Sequence, residues 1–163
     1  MTRRFRRAAL AAAALGFLLG PAAGAQDEEL LKISCSVLPK RLSRGEEGKV
    51  LLKLTVPQGI LISAQPSFII EFSPVPEIGF PKNFFTALDL NLGVVEEPGQ
   101  SRLDLSKPIE IPFTVSPDAK PGGHILEGRI KYFARSPDEG WCYKTTSKFS
   151  VAFSTRAASV KKG

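Results

Sequence analysis

The side chain best suited to chemistry in this sequence is the thiol of Cys142, which lies between two aromatic residues, Trp141 and Tyr143. Residues 125–134 alternate apolar and polar side chains, which predicts a β-strand that is buried on one face. Residues 136–140, with the sequence SPDEG, are typical of a tight turn. Because a strand and a turn precede it, we expect Cys142 to be held rigidly near the surface. Such a thiol can react with a partner, form a disulfide or pack against its neighbours.

No other group of catalytic residues can be assembled from the sequence. His124 is the single histidine, and one histidine alone cannot build a metal site. Neither a nucleophile-elbow motif nor a glycine-rich phosphate loop is present. Asp138 and Glu139 are adjacent carboxylates in a turn, where such side chains are usually solvated. We therefore predict no cofactor and no metal ligand, and any enzyme activity would depend on Cys142.

The first 25 residues have the organisation of a secretory signal peptide. Four arginines between positions 3 and 7 precede an apolar run over residues 8–20, and Ala23 and Ala25 are small residues before a predicted cleavage at Gln26. The apolar run is short for a membrane span, which takes about 20 residues. We expect a periplasmic or secreted protein with no membrane span after cleavage, although an uncleaved signal would serve as an anchor.

The charge of the exported part excludes one class of partner. The whole chain carries 22 basic and 16 acidic residues, for a net charge of +6. Loss of the signal removes four arginines and leaves 18 basic residues against the same 16 acidic ones, a net charge of +2. A charge this small gives no electrostatic footprint for nucleic acid.

The remaining sequence is dominated by short segments in which apolar and polar residues alternate. These segments predict about seven strands, separated by turn signals, at residues 31–38, 49–56, 60–63, 67–72, 109–115, 125–134 and 146–153. Pro112 removes a backbone donor from one of them, which we therefore expect at a sheet edge or locally unpaired. The pattern predicts an all-β sandwich domain over residues 26–154, followed by a basic, disordered tail over residues 155–163.

The second cysteine, Cys35, leaves two alternatives open. It lies in an apolar row with Ile33 and Val37, which predicts packing as a small hydrophobic side chain. Two cysteines in an exported chain also permit one intramolecular bridge, Cys35–Cys142, which would make the domain redox-inert.

The chain from about residue 56 to residue 153 resembles the N-terminal periplasmic domain of DsbD-type thiol:disulfide interchange proteins. The resemblance is carried by the segments PQG (57–59), LISA (61–64), FP (80–81), IEIPFTV (109–115), PGG (121–123), KYFA (131–134) and GWCY (140–143). It implies an immunoglobulin-like β-sandwich and a cysteine pair that passes electrons to periplasmic disulfide partners.

The chain departs from this family at the reactive pair. Arg135 stands where the family has its first cysteine, and Cys142 matches the second. A dithiol cycle needs two sulfurs within bonding reach, so the family's local pair cannot form here. The resemblance thus implies a redox thiol at Cys142 and disulfide-reductase-related activity at most. It also makes Phe84 and Phe85 candidates for a cap loop over Cys142, whereas their apolar character alone favours the edge of the core.

Two functional hypotheses follow from these observations. In the first, Cys142 forms mixed disulfides with a periplasmic partner of thioredoxin-like type, or cycles with Cys35. In the second, the domain is redox-inactive and docks a periplasmic partner through the loop around Trp141, with Tyr132 and Tyr143 as further contacts, because aromatic residues are favoured interface anchors.

Overall fold

Every regular element of the computed structural model, which describes residues 30–157, is a β-strand. The expected signal peptide over residues 1–25 lies outside the described residues, as does the end of the expected tail. The folded domain continues further than the predicted boundary at residue 154. Thr155 and Arg156 belong to the last strand, and Thr155 is buried.

The strands differ widely in length, and the longest two form a single hairpin at the end of the chain. In order they are β1 (Lys32–Leu38), β2 (Arg41–Ser43), β3 (Glu47–Thr55), β4 (Leu61–Ile62), β5 (Ile69–Phe72), β6 (Ile78–Gly79), β7 (Phe84–Thr86), β8 (Gly93–Glu97), β9 (Gln100–Asp104), β10 (Ile109–Val115), β11 (Gly122–Ser136) and β12 (Trp141–Arg156).

Two sheets form the sandwich. One has the strand order β1-β3-β10-β6, and the other has the order β2-β12-β11-β5-β7, with β4 beside β11. β8 and β9 form a separate hairpin. All pairs are antiparallel except β2 with β12. β1, β3 and β10 take the places of strands A, B and E of the immunoglobulin fold, and β12, β11 and β5 those of G, F and C. The predicted immunoglobulin-like β-sandwich is therefore confirmed.

The core lies between the sheets and follows from the two-residue period of the strands. In β10 the apolar side chains of Ile109, Ile111, Phe113 and Val115 are buried, and the residues between them are exposed. Since successive side chains of a strand point to opposite faces, this alternation fixes one face of the sheet inward. Aromatic rings extend the core, and Phe72 stacks on Phe80 with ring centroids 4.2 Å apart.

Pro112 lies in an inner strand without breaking the sheet. The Val115 N–H donates to the Glu46 carbonyl oxygen on the β3 side (2.9 Å), and the Ser116 N–H donates to Glu77 on the opposite side (2.8 Å). Because donors alternate between the two sides of a strand, the nitrogen of Pro112 faces away from β3. β6 pairs only with the last two residues of β10, so this position is locally unpaired, as predicted.

The predicted number of about seven strands is too low. The strands β2, β6 and β7, which no predicted segment covers, span only two or three residues, which is too short to display a two-residue period. Residues 96–102, which no predicted strand covers, form most of the β8–β9 hairpin, with Gly99 in the left-handed region at φ 78°. Leu103 is the only buried residue of β8 and β9, so the hairpin lacks the row of buried apolar side chains that predicts a strand.

Candidate functional site

The candidate site lies at the tip of the β11–β12 hairpin. The two strands pair without a bulge from Gly122 opposite Thr155 to Ser136 opposite Trp141. The turn between them is closed by the Gly140 N–H, which donates to the Ser136 carbonyl oxygen at 2.8 Å. Gly140 has φ 74°, a conformation that glycine adopts without steric cost. The predicted turn is confirmed. The strand after it, β12, begins at Trp141, whereas residue 146 was expected.

Cys142 lies directly opposite Arg135. The Ser154 N–H donates to the Lys40 carbonyl oxygen on the outer side of β12 (3.1 Å). Since the register is regular and donors alternate, Cys142 also directs its N–H and C=O to this outer side. Arg135 and Cys142 are therefore a non-hydrogen-bonded pair, in which facing Cβ atoms approach to about 4.5–5.5 Å. Arg135 therefore faces the thiol of Cys142 across the two strands.

The thiol of Cys142 is free and exposed on the outward face of its sheet. Lys144 lies two residues further along the same face, and Arg135 is half-buried between Cys142 and Leu61 of β4. No carboxylate lies within ion-pair distance of either cation in the part of the chain that the structure describes. A group that approaches Cys142 across the sheet therefore meets positive charge.

Trp141 and Tyr143 project to the other face of the hairpin. Their rings stack with centroids 4.7 Å apart and an interplanar angle of 26°. Trp141 is half-buried against the end of the core, and its Nε1–H donates to a carboxylate oxygen of Glu139 at 2.6 Å. Tyr143 is 47% exposed. Trp141 thus packs the tip against the core, and Tyr143 leaves aromatic surface exposed.

The prediction that Tyr132 contacts a partner is wrong. Tyr132 is 1% exposed, and its hydroxyl group is hydrogen-bonded to the Ser147 hydroxyl group inside the sandwich (2.8 Å). Tyr132 shares the inward face of β11 with Ala134 and Ser136, which are also buried. It therefore belongs to the core, although it is close in sequence to the tip.

Cys35 has the packing role that the sequence predicted. It lies in β1 opposite Leu52, is half-buried and contacts the core. Burial raises the pKa of the Cys35 thiol to about 11. The thiolate is the reactive form of cysteine, so Cys35 is unreactive at neutral pH.

The structure does not bring Cys35 and Cys142 together, and both thiols are free. Cys142 lies twelve residues before Ser154, a distance of about 40 Å along β12. Arg41 pairs with Ser154, and Cys35 is at most about 20 Å from Arg41 along the chain. The two Cα atoms are therefore at least about 15 Å apart, whereas a disulfide needs a separation below about 7 Å. The alternative of a Cys35–Cys142 bridge is corrected accordingly.

Phe84 and Phe85 do not cap Cys142. They lie in β7, where Phe85 pairs with Ile70 of β5 and is buried against Phe72 and Phe80, while Phe84 is half-exposed at the sheet edge. Ile70, the partner of Phe85, pairs in turn with Ile130 of β11. Ile130 lies five residues, about 16 Å, from Arg135, which is the residue opposite Cys142. Their interpretation as residues at the edge of the core is the correct one.

His124, the other side chain that the sequence offered for chemistry, is held by contacts within the fold. His124 Nε2 lies 2.9 Å from the Lys120 carbonyl oxygen and 2.8 Å from the Thr155 hydroxyl oxygen, and Nδ1 lies 3.9 Å from Glu77. Within residues 30–157, no three His, Cys, Asp or Glu side chains are grouped in a way that could hold a metal ion. The same residues include no helix long and apolar enough to cross a membrane.

The sequence analysis missed the residues that follow Cys142. Residues 143–145 belong to β12, although the last strand was expected to begin at residue 146. Thr145 and Ser147 point inward at positions where an apolar residue would have revealed the alternation. The signal that could have found them is the hairpin rule itself, because a short turn that ends a strand begins its partner.

Comparison with known proteins gives similarity of fold only. No model of a known protein family matches the chain, and no curated protein matches it. A cohesin module from a Clostridium perfringens family 33 glycoside hydrolase is 11% identical, over 78% of this chain and 96% of that chain, with a TM-score of 0.38. AggA, the major subunit of aggregative adherence fimbriae type I from Escherichia coli, is 11% identical over 77% and 95%, with a TM-score of 0.33.

A FixG-related protein from Vibrio parahaemolyticus is 13% identical, over 74% of this chain and 95% of that chain, with a TM-score of 0.31. Likeness at these levels does not bear on function. The fold assignment rests on the strand order of the two sheets.

Proposed function

We propose that this protein is an exported disulfide-exchange module that reacts with a periplasmic protein partner through Cys142. The observation that carries the proposal is a free, exposed thiol that a regularly paired hairpin places opposite Arg135. An arginine in the facing position leaves this thiol without a sulfur neighbour on the adjacent strand. A partner outside the described part of the chain is then the natural source of the second sulfur.

The reaction is a thiol–disulfide exchange. The Cys142 thiolate attacks one sulfur of the partner's disulfide, a new S–S bond forms between the proteins, and the partner's second sulfur leaves as a thiolate. The proton lost by Cys142 passes to solvent or to that leaving group. Attack by the freed partner thiol on its own bonded sulfur reverses the reaction and releases Cys142. No cofactor takes part in either direction.

Cys35 is excluded as the resolving thiol. Its raised pKa keeps it protonated at neutral pH, and the strand register separates it from Cys142 by more than a disulfide can span. The hypothesis of a cycle between the two cysteines is therefore dropped in favour of exchange with a partner. The resemblance to DsbD-type domains and the signal-like N-terminus support a periplasmic thioredoxin-like partner with two cysteines of its own.

The test uses a thioredoxin-like protein whose resolving cysteine is replaced by serine and whose remaining cysteine carries thionitrobenzoate. Attack by Cys142 releases the coloured thiolate and leaves a one-to-one protein adduct that mass spectrometry detects. We expect this adduct with the unaltered protein and with Cys35→Ser, and none with Cys142→Ser. A release rate no faster than that of free glutathione at equal thiolate concentration would count against the proposal.

A second candidate function is a redox-inactive docking module, and the stack of Trp141 on Tyr143 favours it because it presents exposed aromatic surface at the tip. The two functions predict that different variants lose the ability to capture a partner. Capture of a partner that survives Cys142→Ser but is lost with Tyr143→Ala indicates docking without chemistry. Loss with Cys142→Ser alone indicates disulfide exchange.

A further inference from the structure

The outer edge of β12 has no hydrogen-bonded strand over most of its length, and β1 packs close to part of β12 without pairing with it. β2 pairs with this edge only at Ser154, Thr155 and Arg156, and β11 occupies the other side of the strand. Among the described residues, no strand pairs with the outer side of residues 141–153. An unpaired edge presents a row of backbone donors and acceptors that can template a further strand.

The direction of these backbone groups follows from the hydrogen bond at the covered end. The Ser154 N–H donates outward to Lys40. Because the β11–β12 register has no bulge, every second residue before Ser154 has its N–H and C=O on the same outer side. Cys142, Lys144, Thr146 and Lys148 therefore direct their backbone groups toward the open edge, in the spacing that an added strand requires.

The side chains beside this edge are positively charged. Lys144 and Lys148 project from the outward face of β12, and Arg135 projects from β11. Glu71 forms ion pairs with Arg129 (2.7 Å) and with Lys131 (2.8 Å), both of which lie in β11. In contrast, no described carboxylate lies within ion-pair distance of Arg135, Lys144 or Lys148.

One of these cations also has an unfavourable neighbour. Lys148 lies directly opposite Arg129, and like charges that face each other across two strands are destabilising. A carboxylate supplied from outside the edge would relieve this repulsion. A second copy of the chain would instead bring two sets of lysines together, because each copy presents Lys144 and Lys148 at its own edge. The charges therefore select an acidic strand and disfavour self-association.

We infer that the edge of β12 from Cys142 to Lys148 binds an extended segment of a partner protein, which adds as a strand to the sheet and carries Asp or Glu at alternate positions. The backbone groups supply affinity, and the cations beside them supply selectivity. This binding does not require the Cys142 thiol, so it is testable in Cys142→Ser, where disulfide exchange is absent.

The probe is a short soluble peptide in which glutamate alternates with valine, added to the Cys142→Ser protein. Amide hydrogen exchange followed by NMR reports which backbone donors become protected. We expect slower exchange at positions 142, 144, 146 and 148, and little change at other amides. The same peptide with lysine in place of glutamate, or with alternate backbone nitrogens methylated, is expected to give no protection. Protection elsewhere, or equal protection by the lysine peptide, would overturn the inference.

A matched pair of variants tests the backbone contribution. Thr146→Pro removes an outward N–H that makes no bond to β11, so the ladder of the hairpin is kept, whereas Thr146→Ala keeps the amide. We expect Thr146→Pro to weaken peptide binding at least about tenfold and Thr146→Ala to change it less than about twofold. Circular dichroism checks that both variants fold. If Thr146→Pro does not fold, the exchange measurement on the protein with its natural Thr146 decides the question.

Charge reversal tests selectivity. The double variant Lys144→Glu, Lys148→Glu is expected to lose the glutamate peptide and to gain the lysine peptide. Unchanged preference in this variant contradicts the charge argument. Protection of the same four amides before any peptide is added would mean that the edge is already covered, either by a second copy or by another segment of this chain. Light scattering distinguishes a dimer from a monomer, and either result overturns the inference.

Discussion

At the scale of single residues, position within a strand decides which side chains can meet a partner. Tyr132 and Tyr143 have the same chemistry, yet Tyr132 is enclosed between the sheets and Tyr143, which lies nearer the tip, is half-exposed. The two cysteines differ in the same way. Cys35 points into the core side of β1, and Cys142 points outward beyond the reach of the core. Burial therefore lowers the reactivity of the Cys35 thiol, whereas the exposed position of Cys142 leaves its thiol accessible.

The facing positions of Arg135 and Cys142 predict that a second sulfur can be restored. Arg135→Cys places two cysteines in a non-hydrogen-bonded cross-strand pair, whose Cβ separation of about 4.5–5.5 Å is close to that of a disulfide. We expect this variant to oxidise to an intramolecular bridge, seen as a mass loss of two hydrogens and the absence of alkylatable Cys142. Thr146→Cys is the control, because it shares the outward face but lies four residues away. A free Cys142 in oxidised Arg135→Cys would contradict the register.

Glu71 predicts a pH dependence of stability. Hydrogen bonds from Lys131 and Arg129 hold the pKa of Glu71 below its ordinary value. A carboxyl group whose pKa is lowered by folding stabilises the protein above its unfolded pKa, near 4.3, and loses that contribution as the pH falls through the folded pKa.

We therefore expect Glu71→Gln to lower the free energy of unfolding by about 0.5–1 kcal/mol at pH 7 and by much less at pH 3. Urea denaturation at the two pH values measures the difference. Glu127→Gln, on the same outward face of the sheet but in β11 and without an ion pair, is the control and should change little at either pH. An equal loss at both pH values for Glu71→Gln would show that packing, and not charge, is responsible.

At the scale of elements, the β11–β12 hairpin depends on one glycine. A Cβ atom at Gly128 would lie 2.4 Å from the Phe149 ring and 2.9 Å from the Glu71 backbone oxygen. The first contact can move with the ring, but the second involves the neighbouring strand. Gly123 lies in the same strand, and a Cβ atom there meets nothing within 4 Å.

We expect Gly128→Ala to destabilise the protein by about 1–3 kcal/mol through overpacking. Gly123→Ala should be neutral or stabilising by up to about 1 kcal/mol, because it restricts only the unfolded chain. Thermal unfolding of the two variants side by side measures the difference. Equal midpoints would mean that the sheet accommodates a side chain at Gly128 without strain.

Sequence patterns predicted the longer strands whose apolar side chains alternate and missed short ones such as β2 and β7, although Leu42 and Phe85 are buried in the core. β3 and β10 alternate cleanly because both bury one face, so Val50 and Ile111 could be assigned from sequence alone. The start of β12 could not, because Thr145 and Ser147 face inward in place of apolar residues. The pairing of Arg135 with Cys142 needed the register of the hairpin, and the open edge beside Cys142 needed the order of all strands in the sheet.

At the scale of the whole molecule, the sandwich holds together without a disulfide bond between any of the residues that the structure describes. Both thiols are free, and the two sheets share one continuous apolar core that includes residues from β1 to β12. β2 crosses to the second sheet and pairs with the end of β12, which fastens the first strands to the last. A chain of this length buries enough surface to fold on its core alone.

This organisation predicts that reductant leaves stability unchanged. A disulfide that closed a loop of about 100 residues would contribute roughly 4–5 kcal/mol, and its reduction would lower the melting temperature by roughly 10 °C or more. With no such bridge, the midpoint with and without reductant should agree within about 1 °C. Serine variants separate the two thiols: Cys35→Ser should cost about 1 kcal/mol because it puts a hydroxyl group against the core, and Cys142→Ser should stay within about 0.5 kcal/mol. A large fall in midpoint on reduction, matched by both serine variants, would instead require the two cysteines to be bonded and the strands between them to be arranged differently.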